Sequence, residues 1–303
     1  MTYSQFKSRL IETLQQDFFP DAEIIINQVN KNNGICLDGL VIKEKEGNIF
    51  PTIYLENFYK DYSNGETFDD VVKKIADVHK SNRVDDNFDV SGFFDFDKVK
   101  DHIIFRLVNR EKNQELLEGI PSREYFDLVI IFYYILPESM VEDGTCTILI
   151  RNEHIAKWNV TVDELMELAI ENTPRIEGVK IQGLLETVAS LVGSAQVDTL
   201  ADNSEMYMPT YVVTNNHLIN GAGVILYKDT LPSLAAKLKS DLFILPCSVH
   251  EVIVLCANNS ELSWIEYLKN MVSKINKTEL EEIDYLSDNV YMYSRETRQL
   301  SVC

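Results

Sequence analysis

The sequence predicts an α+β fold with mixed or mainly antiparallel sheets, flanking helices and two packed subdomains. One observation is apolar residues at helical spacing behind a capping residue, as in Val71 and Ile75 after Thr67. A second is short apolar stretches separated by turn residues, as at 23–29 and 35–43. A third is the length of 303 residues, which exceeds that of a usual single domain.

The first half of the chain predicts the element order α-β-β-β-α-β. Phe6, Leu10 and Leu14 share one helical stripe that ends before Pro20. The later elements are an antiparallel meander at 23–29, 35–43 and 49–55, a helix behind Thr67 and a strand at 102–108. Together they form a predicted N-terminal α+β subdomain, residues 1–120.

The second half, residues 121–303, is predicted to be a C-terminal α+β subdomain with an insertion at 176–206. The apolar runs at 125–136 and 146–150 predict a hairpin of central strands. Thr161, with Glu164 at the third helical position, predicts a helix that ends before Pro174. The insertion is predicted to form an amphipathic helix from 181 to 192 followed by a polar linker. The remaining predicted elements are helices that begin at 230 and 262 and strands at 211–214, 242–245, 251–255 and 290–293.

The net charge of −20 disfavours nucleic acids as partners, because a negative electrostatic field repels phosphate backbones. We therefore expect no direct nucleic-acid ligand. The first residues lack a signal-peptide pattern, and no apolar run is long enough to span a bilayer. The five cysteines are odd in number and form no C-x-x-C pair, which is typical of reduced thiols. A cytoplasmic protein without a membrane partner is expected.

Four stretches resemble a bacterial domain-of-unknown-function family that occurs mainly in gut anaerobes and often beside mobile elements. They are 51–65 (PTIYLENFYKDYSNG), 94–113 (FDFDKVKDHIIFRLVNREKN), 214–227 (TNNHLINGAGVILY) and 243–255 (FILPCSVHEVIVL). The resemblance covers most of the chain. It supplies no activity and no catalytic residues, and it implies a role in conflict between mobile elements and their hosts.

The candidate catalytic residues are Cys247, His250 and Glu251. His250 and Glu251 begin an H-E-x-x-H zinc motif, but position 254 is Val254 and the surrounding residues are typical of a strand. Cys247 lies three residues before His250, and a thiolate becomes a nucleophile only beside a base or a positive dipole. A core cysteine beside a turn histidine is the commoner arrangement, so no catalytic residue is assigned.

Two further motifs are incomplete, and no cofactor or metal is predicted. Gly221 and Gly223 begin a dinucleotide-binding pattern, but Leu226 stands where the third glycine belongs. Residues 85–96 resemble a calcium loop, with Val90 in place of its glycine and Phe96 in place of its glutamate.

The leading hypothesis is a non-enzymatic interaction module that binds a protein with a basic surface, such as a nucleic-acid-handling protein that it inhibits. Its carboxylates would lie where phosphates otherwise bind. The candidate interaction residues are Asp85, Asp86, Asp89, Glu279, Glu281, Glu282 and Asp284. The alternative is an enzyme of unrecognised type with its site near the 221–223 and 247–250 turns, since loops on rigid sheets carry function. The sequence predicts no oligomeric state.

Overall fold

The computed structural model describes residues 1–45, 50–82, 90–136, 146–184, 186–187, 209–257 and 262–303. These residues divide into two compact units. Unit 1 comprises Met1–His102 and Tyr134–Leu149, and unit 2 comprises Ile103–Tyr133 and Ile150–Cys303. Helices and antiparallel sheets are present together, so the predicted α+β class is confirmed.

Unit 1 begins with a helix and a three-stranded meander. Its helices are α1 (Tyr3–Thr13), α2 (Leu55–Ser63), α3 (Phe68–Ser81) and α4 (Phe96–Val99). Its first strands, β1 (Glu23–Asn30), β2 (Cys36–Lys43) and β3 (Thr52–Tyr54), pair antiparallel in the order β1-β2-β3. The predicted meander is confirmed. Its third strand is shorter than predicted, because the fully buried Leu55 already begins α2.

The core of unit 1 lies between the meander and the helices. Thr2 forms a capping box with Gln5 at the start of α1, and Thr67 caps α3 as predicted. The Phe6 ring lies 5.3 Å from Tyr59 and 5.9 Å from Phe68, centroid to centroid. These aromatic contacts join α1, α2 and α3 around one apolar cluster.

From residue 103 onward the chain forms two more sheets. The strands are β4 (Ile103–Asn109), β5 (Ser122–Tyr125), β6 (Leu128–Ile135), β7 (Thr147–Leu149), β8 (Lys180–Gly183), β9 (Thr210–Thr214), β10 (Leu242–Leu245), β11 (Val252–Cys256), β12 (Tyr291–Tyr293) and β13 (Leu300–Val302). The helices are α5 (Gln114–Glu118), α6 (Asn152–Trp158), α7 (Val162–Glu177), α8 (Thr230–Leu238) and α9 (Leu262–Thr278). One sheet has the order β4-β6-β5 with β7 paired to β6, as the predicted hairpin requires.

The six-stranded sheet of unit 2 has the order β13-β12-β10-β11-β9-β8. All four residues of the central strand β10 are buried. Leu268 and Val272 of α9 pack in one apolar cluster with Phe243 and Leu245 of β10. The sheet is therefore covered by α9 on this face, and the turns at its strand ends are held on a rigid support.

Two predictions in this half are wrong. Helix α7 continues through Pro174 to Glu177. The proline removes the N–H that would otherwise bond the Ile170 carbonyl, yet the helix continues until Gly178, whose φ of 65° ends it.

The second error concerns the predicted helix from 181 to 192. Residues Lys180–Gly183 form strand β8, in which Ile181 pairs with Val213 of β9. Strand β8 lies at the edge of its sheet, and Ile181 is 37% exposed, whereas the predicted helix would have placed it on the buried face. Residues 184, 186 and 187 are helical, which agrees with the prediction in part, and the rest of the predicted helix and the polar linker lie outside the described residues.

Candidate functional site

Three segments of unit 2 meet at His250, which lies on the turn between β10 and β11. The Nδ1 atom of His250 accepts the Asn220 backbone N–H (3.1 Å), so the ring proton is on Nε2. Nε2 donates to the Asp284 carboxylate (3.0 Å). The His250 carbonyl accepts from the Thr214 hydroxyl (2.7 Å) and from the Gly221 N–H (2.9 Å). His250 thus joins the 214–223 turn to residue 284.

The close approach of these turns depends on a glycine. A Cβ atom at Gly221 would lie 2.2 Å from Thr214 Oγ1, 2.6 Å from the Asn215 nitrogen and 2.7 Å from the His250 oxygen. The preceding residue, Asn220, has a φ of 54°, a conformation that asparagine adopts more readily than most residues. The N-G pair of the sequence is therefore explained by local geometry.

Cys247 belongs to the apolar core. Its side chain is buried, and its thiol donates to the Leu245 carbonyl at 3.5 Å. Burial raises the pKa of the Cys247 thiol to about 11. A nucleophilic cysteine needs the opposite shift. Cys247 and His250 share one turn, but each has its own hydrogen-bond partners.

Glu251 is half-buried beside the same turn. Burial raises the pKa of its carboxyl, while the neighbouring His250 and a hydrogen bond to Ser248 act in the opposite direction. Val254 lies fully buried within strand β11, so the H-E-x-x-H helix that a zinc hydrolase needs is replaced by extended backbone. Among the described residues, no group of three His, Cys, Asp or Glu side chains could hold a metal ion.

The glycine turn at 221–223 has a local structure different from that of a dinucleotide-binding fingerprint. Gly221–Leu226 is a buried 3-10 helix, and the preceding strand β9 lies in an antiparallel sheet. The incomplete calcium motif and the candidates Asp85, Asp86 and Asp89 lie outside the described residues, apart from its last positions.

The predicted acidic residues near the end of α9 form a surface segment of unit 2. Glu279, Glu281 and Glu282 are exposed, whereas Asp284 is half-buried and bonded to His250. Glu282 pairs with Lys112 at 3.0 Å, which brings the exposed Glu111 beside the segment. We call Glu279, Glu281, Glu282 and Glu111 the acidic surface.

The side chain of Tyr285, three residues after Glu282, lies near several carboxylates. Its pKa is raised to about 12, first by burial and then by the charges of Asp288 and Asp127, with a smaller effect from Glu111. A negative field stabilises the neutral phenol and attracts cations to the same place. A positively charged group that lies in this field is Lys112, whose Nζ is 4.8 Å from the centre of the Tyr285 ring and 3.0 Å from a Glu282 oxygen.

Two exposed apolar residues that were not predicted from the sequence directly precede Asn220, the residue that donates to His250. Leu218 is 51% exposed and Ile219 is 53% exposed. They are held at the end of a turn in which the Leu218 N–H donates to the Asn215 carbonyl (3.3 Å). The available signal was the order of residues in NNHLING, where two large apolar residues stand between turn-forming ones. We call Leu218 and Ile219 the apolar tip.

Thiol labelling provides a direct check on Cys247. At about pH 8, iodoacetamide is expected to modify the exposed Cys36 at least about 100 times faster than Cys247, because the reagent attacks thiolates and Cys247 is buried with a raised pKa. Peptide mass mapping over time measures both rates, and labelling in urea gives the control in which they should converge. A Cys247 that reacts as fast as Cys36 would show an activated thiol.

Comparison with known proteins gives one match. The profile of DUF5688, a family of unknown function, matches residues 3–295. No curated protein matches the chain, and no solved structure matches it. In the part of the chain that the structure describes, no helix is long and apolar enough to cross a membrane.

Proposed function

We propose that this chain, which belongs to the DUF5688 family of unknown function, is a non-enzymatic module that binds a protein partner through its acidic surface. The observation that supports it most directly is the exposure of Glu279, Glu281 and Glu282 within four consecutive positions just after α9. The net charge of −20 adds a long-range attraction for basic surfaces.

The partner in this proposal carries a basic surface that ordinarily handles nucleic acid. Exposed carboxylates resemble phosphates in charge, so a chain with this surface competes for the same arginine and lysine side chains. Inhibition of such a protein, in conflict between mobile elements and hosts, is the biological role we propose. All five cysteines are free, and we propose the cytoplasm as the place of the encounter.

Neutralising the acidic surface tests the proposal. The acid variant carries Glu279→Gln, Glu281→Gln and Glu282→Gln, and a control variant carries Glu12→Gln, Asp17→Asn and Asp77→Asn on exposed positions of unit 1. Both lose the same net charge. Proteins captured from a native lysate at about 50 mM salt are identified, and one that is released at about 500 mM salt is purified.

The acid variant is expected to bind this purified protein at least about tenfold more weakly than wild type, mainly through slower association, while the control variant changes affinity far less. Association rates at several salt concentrations give the measurement. Equal losses of affinity in the two variants would show that net charge alone is responsible and would contradict a defined surface. If wild type captures no salt-sensitive protein, the proposal is wrong.

The enzyme alternative is favoured by one observation. The two turns to which it was assigned are joined, since the N–H groups of Gly221 and Ala222 donate to the carbonyls of His250 and Val249. The joined turns are less favourable for catalysis by His250 and Cys247. Both ring nitrogens of His250 are already hydrogen-bonded, and the Cys247 thiol is protonated and buried. The joined turns therefore act first as a support for the neighbouring surface.

A further inference from the structure

The apolar tip is exposed although its residue types favour burial. Leu218 and Ile219 are consecutive, and more than half of each residue remains accessible. Single exposed apolar residues are common on protein surfaces, but two neighbours at the end of a turn form a small projecting patch. The fold obtains little stability from these side chains where they lie.

The backbone at the tip is also unfavourable for the residue it holds. Leu218 has a φ of 60° and Asn220 a φ of 54°. The left-handed region is tolerated by asparagine and glycine, whereas leucine pays for the contact between its Cβ and the following carbonyl. An asparagine at position 218 would fit this backbone better than leucine does. Unfavourable backbone that persists in a well-bonded turn is often found at functional sites.

The turn is held in place from beneath by buried polar groups. Asn215 is fully buried, and its Nδ2 donates to the Ile219 carbonyl (2.9 Å) and to the Glu177 carboxylate (3.2 Å). The Asn216 N–H donates to the Glu177 carbonyl (2.9 Å). The tip is thus a pre-organised projection, and binding through it would require little loss of backbone entropy.

The tip and the acidic surface are linked through one imidazole ring. Asn220, the residue after the tip, donates to His250, and His250 donates to Asp284. The Asp284 N–H in turn donates to the Glu281 carbonyl (2.9 Å). This chain of bonds connects the apolar tip to the segment that carries the exposed carboxylates. Apolar anchors bordered by complementary charges are typical of protein interfaces.

We propose that Leu218 and Ile219 insert into an apolar pocket on the basic partner while the acidic surface contacts the basic residues at the rim of that pocket. The inference rests on the proposed function and adds the anchor residues and the chemistry of their receptor. Charge favours this occupant, because a net charge of −20 repels both anionic lipid surfaces and a second copy of the chain.

The tip variant that tests the inference carries Leu218→Asn and Ile219→Ser. Asparagine suits the left-handed backbone at 218, so the thermal unfolding midpoint is expected to be at least that of wild type. The matched control carries Ile170→Gln and Val179→Thr, which remove exposed apolar side chains elsewhere in unit 2. The probe is the purified salt-sensitive protein that wild type captures, and Kd is measured by biolayer interferometry at several salt concentrations.

The tip variant is expected to weaken binding at least about tenfold with an unchanged salt dependence, and the control variant to bind as wild type does. If the tip variant still binds and the acid variant does not, Leu218 and Ile219 are not anchor residues, while the proposed function is supported. Loss in the tip variant with no effect of the acid variant would support an apolar anchor and contradict the acidic surface. Absence of any captured protein would overturn both.

Two other binding partners of the apolar tip, a lipid surface and a second copy of the chain, are tested with the same variants. Vesicles of neutral phosphatidylcholine with about one quarter phosphatidylglycerol test a lipid surface, and mass measurement in solution tests a second copy of the chain. Neither is expected to bind. Tip-dependent binding to vesicles, or tip-dependent dimerisation, would overturn the proposal of a protein pocket.

Discussion

Replacement of Gly221 by alanine is expected to lower the free energy of unfolding by about 3 kcal/mol, near the upper end of what overpacking usually costs. The added Cβ would overlap Thr214 Oγ1, the Asn215 nitrogen and the His250 oxygen, all at 2.7 Å or less. Two of these three atoms belong to the backbone and cannot move away as a flexible side chain would. The 214–223 turn would have to separate from the 247–251 turn, with loss of the bonds to the His250 carbonyl.

Urea unfolding followed by circular dichroism measures this effect, and Gly119→Ala provides the control. Gly119 has a φ of −96°, and its nearest neighbour would lie 3.8 Å from an added Cβ. The control is expected to change the free energy of unfolding by less than about 1 kcal/mol. The change should be an increase, because alanine lowers the conformational entropy of the unfolded chain relative to glycine. Equal effects of the two substitutions would show that the turns at His250 are less closely packed than the structure has them.

Replacement of Asp127 by alanine is expected to cost about 3 kcal/mol, because two buried hydroxyl groups would lose their acceptor. Asp127 lies in the turn between β5 and β6. Its Oδ1 accepts from the Tyr291 hydroxyl, and its Oδ2 accepts from the Ser287 hydroxyl (2.6 Å). Tyr291 and Ser287 are both fully buried, so water does not readily replace the carboxylate.

The control for Asp127 is Glu124→Ala in the same hairpin. Glu124 is exposed and pairs with Arg110 at 3.2 Å, and exposed pairs of this kind contribute about 0–1 kcal/mol. The effect of Asp127→Ala should also be smaller when Tyr291→Phe is already present, because one of the two hydroxyl groups is then absent. Full additivity of Asp127→Ala and Tyr291→Phe would mean that their hydrogen bond contributes nothing.

Local signals in the sequence were sufficient for much of the fold. Thr161 and Glu164 form the predicted capping box of α7, and Val71 and Ile75 are buried on the predicted face of α3. These features depend on residues three or four positions apart. The end of α7 was predicted wrongly, because a proline weakens a helix without fixing where it ends, and the cap at Gly178 lies four residues beyond Pro174.

The candidate site required information that a local pattern does not contain. The sequence places His250 and Gly221 on turns, but His250 and Asp284 are 34 positions apart and no spacing rule connects them. Asp284 was predicted as an interaction residue, and the structure adds a bond from His250 to its carboxylate. The apolar tip escaped notice because hydrophobic periodicity is not read across turns, where exposure depends on the backbone and its hydrogen bonds.

The bonds that close unit 2 also constrain when the chain can fold during synthesis. Asn109 Nδ2 donates to the Leu286 carbonyl across 177 positions, and the Tyr291 and Asp127 side chains meet across 164. Contacts of such high contact order form slowly, since the chain entropy lost in closing the loop precedes any gain. The hairpin that carries Asp127 leaves the ribosome long before β12 does. The Asp127 carboxylate therefore lacks its Ser287 and Tyr291 donors until the last strands have been translated. Folding of this unit is completed only after most of the chain has been translated.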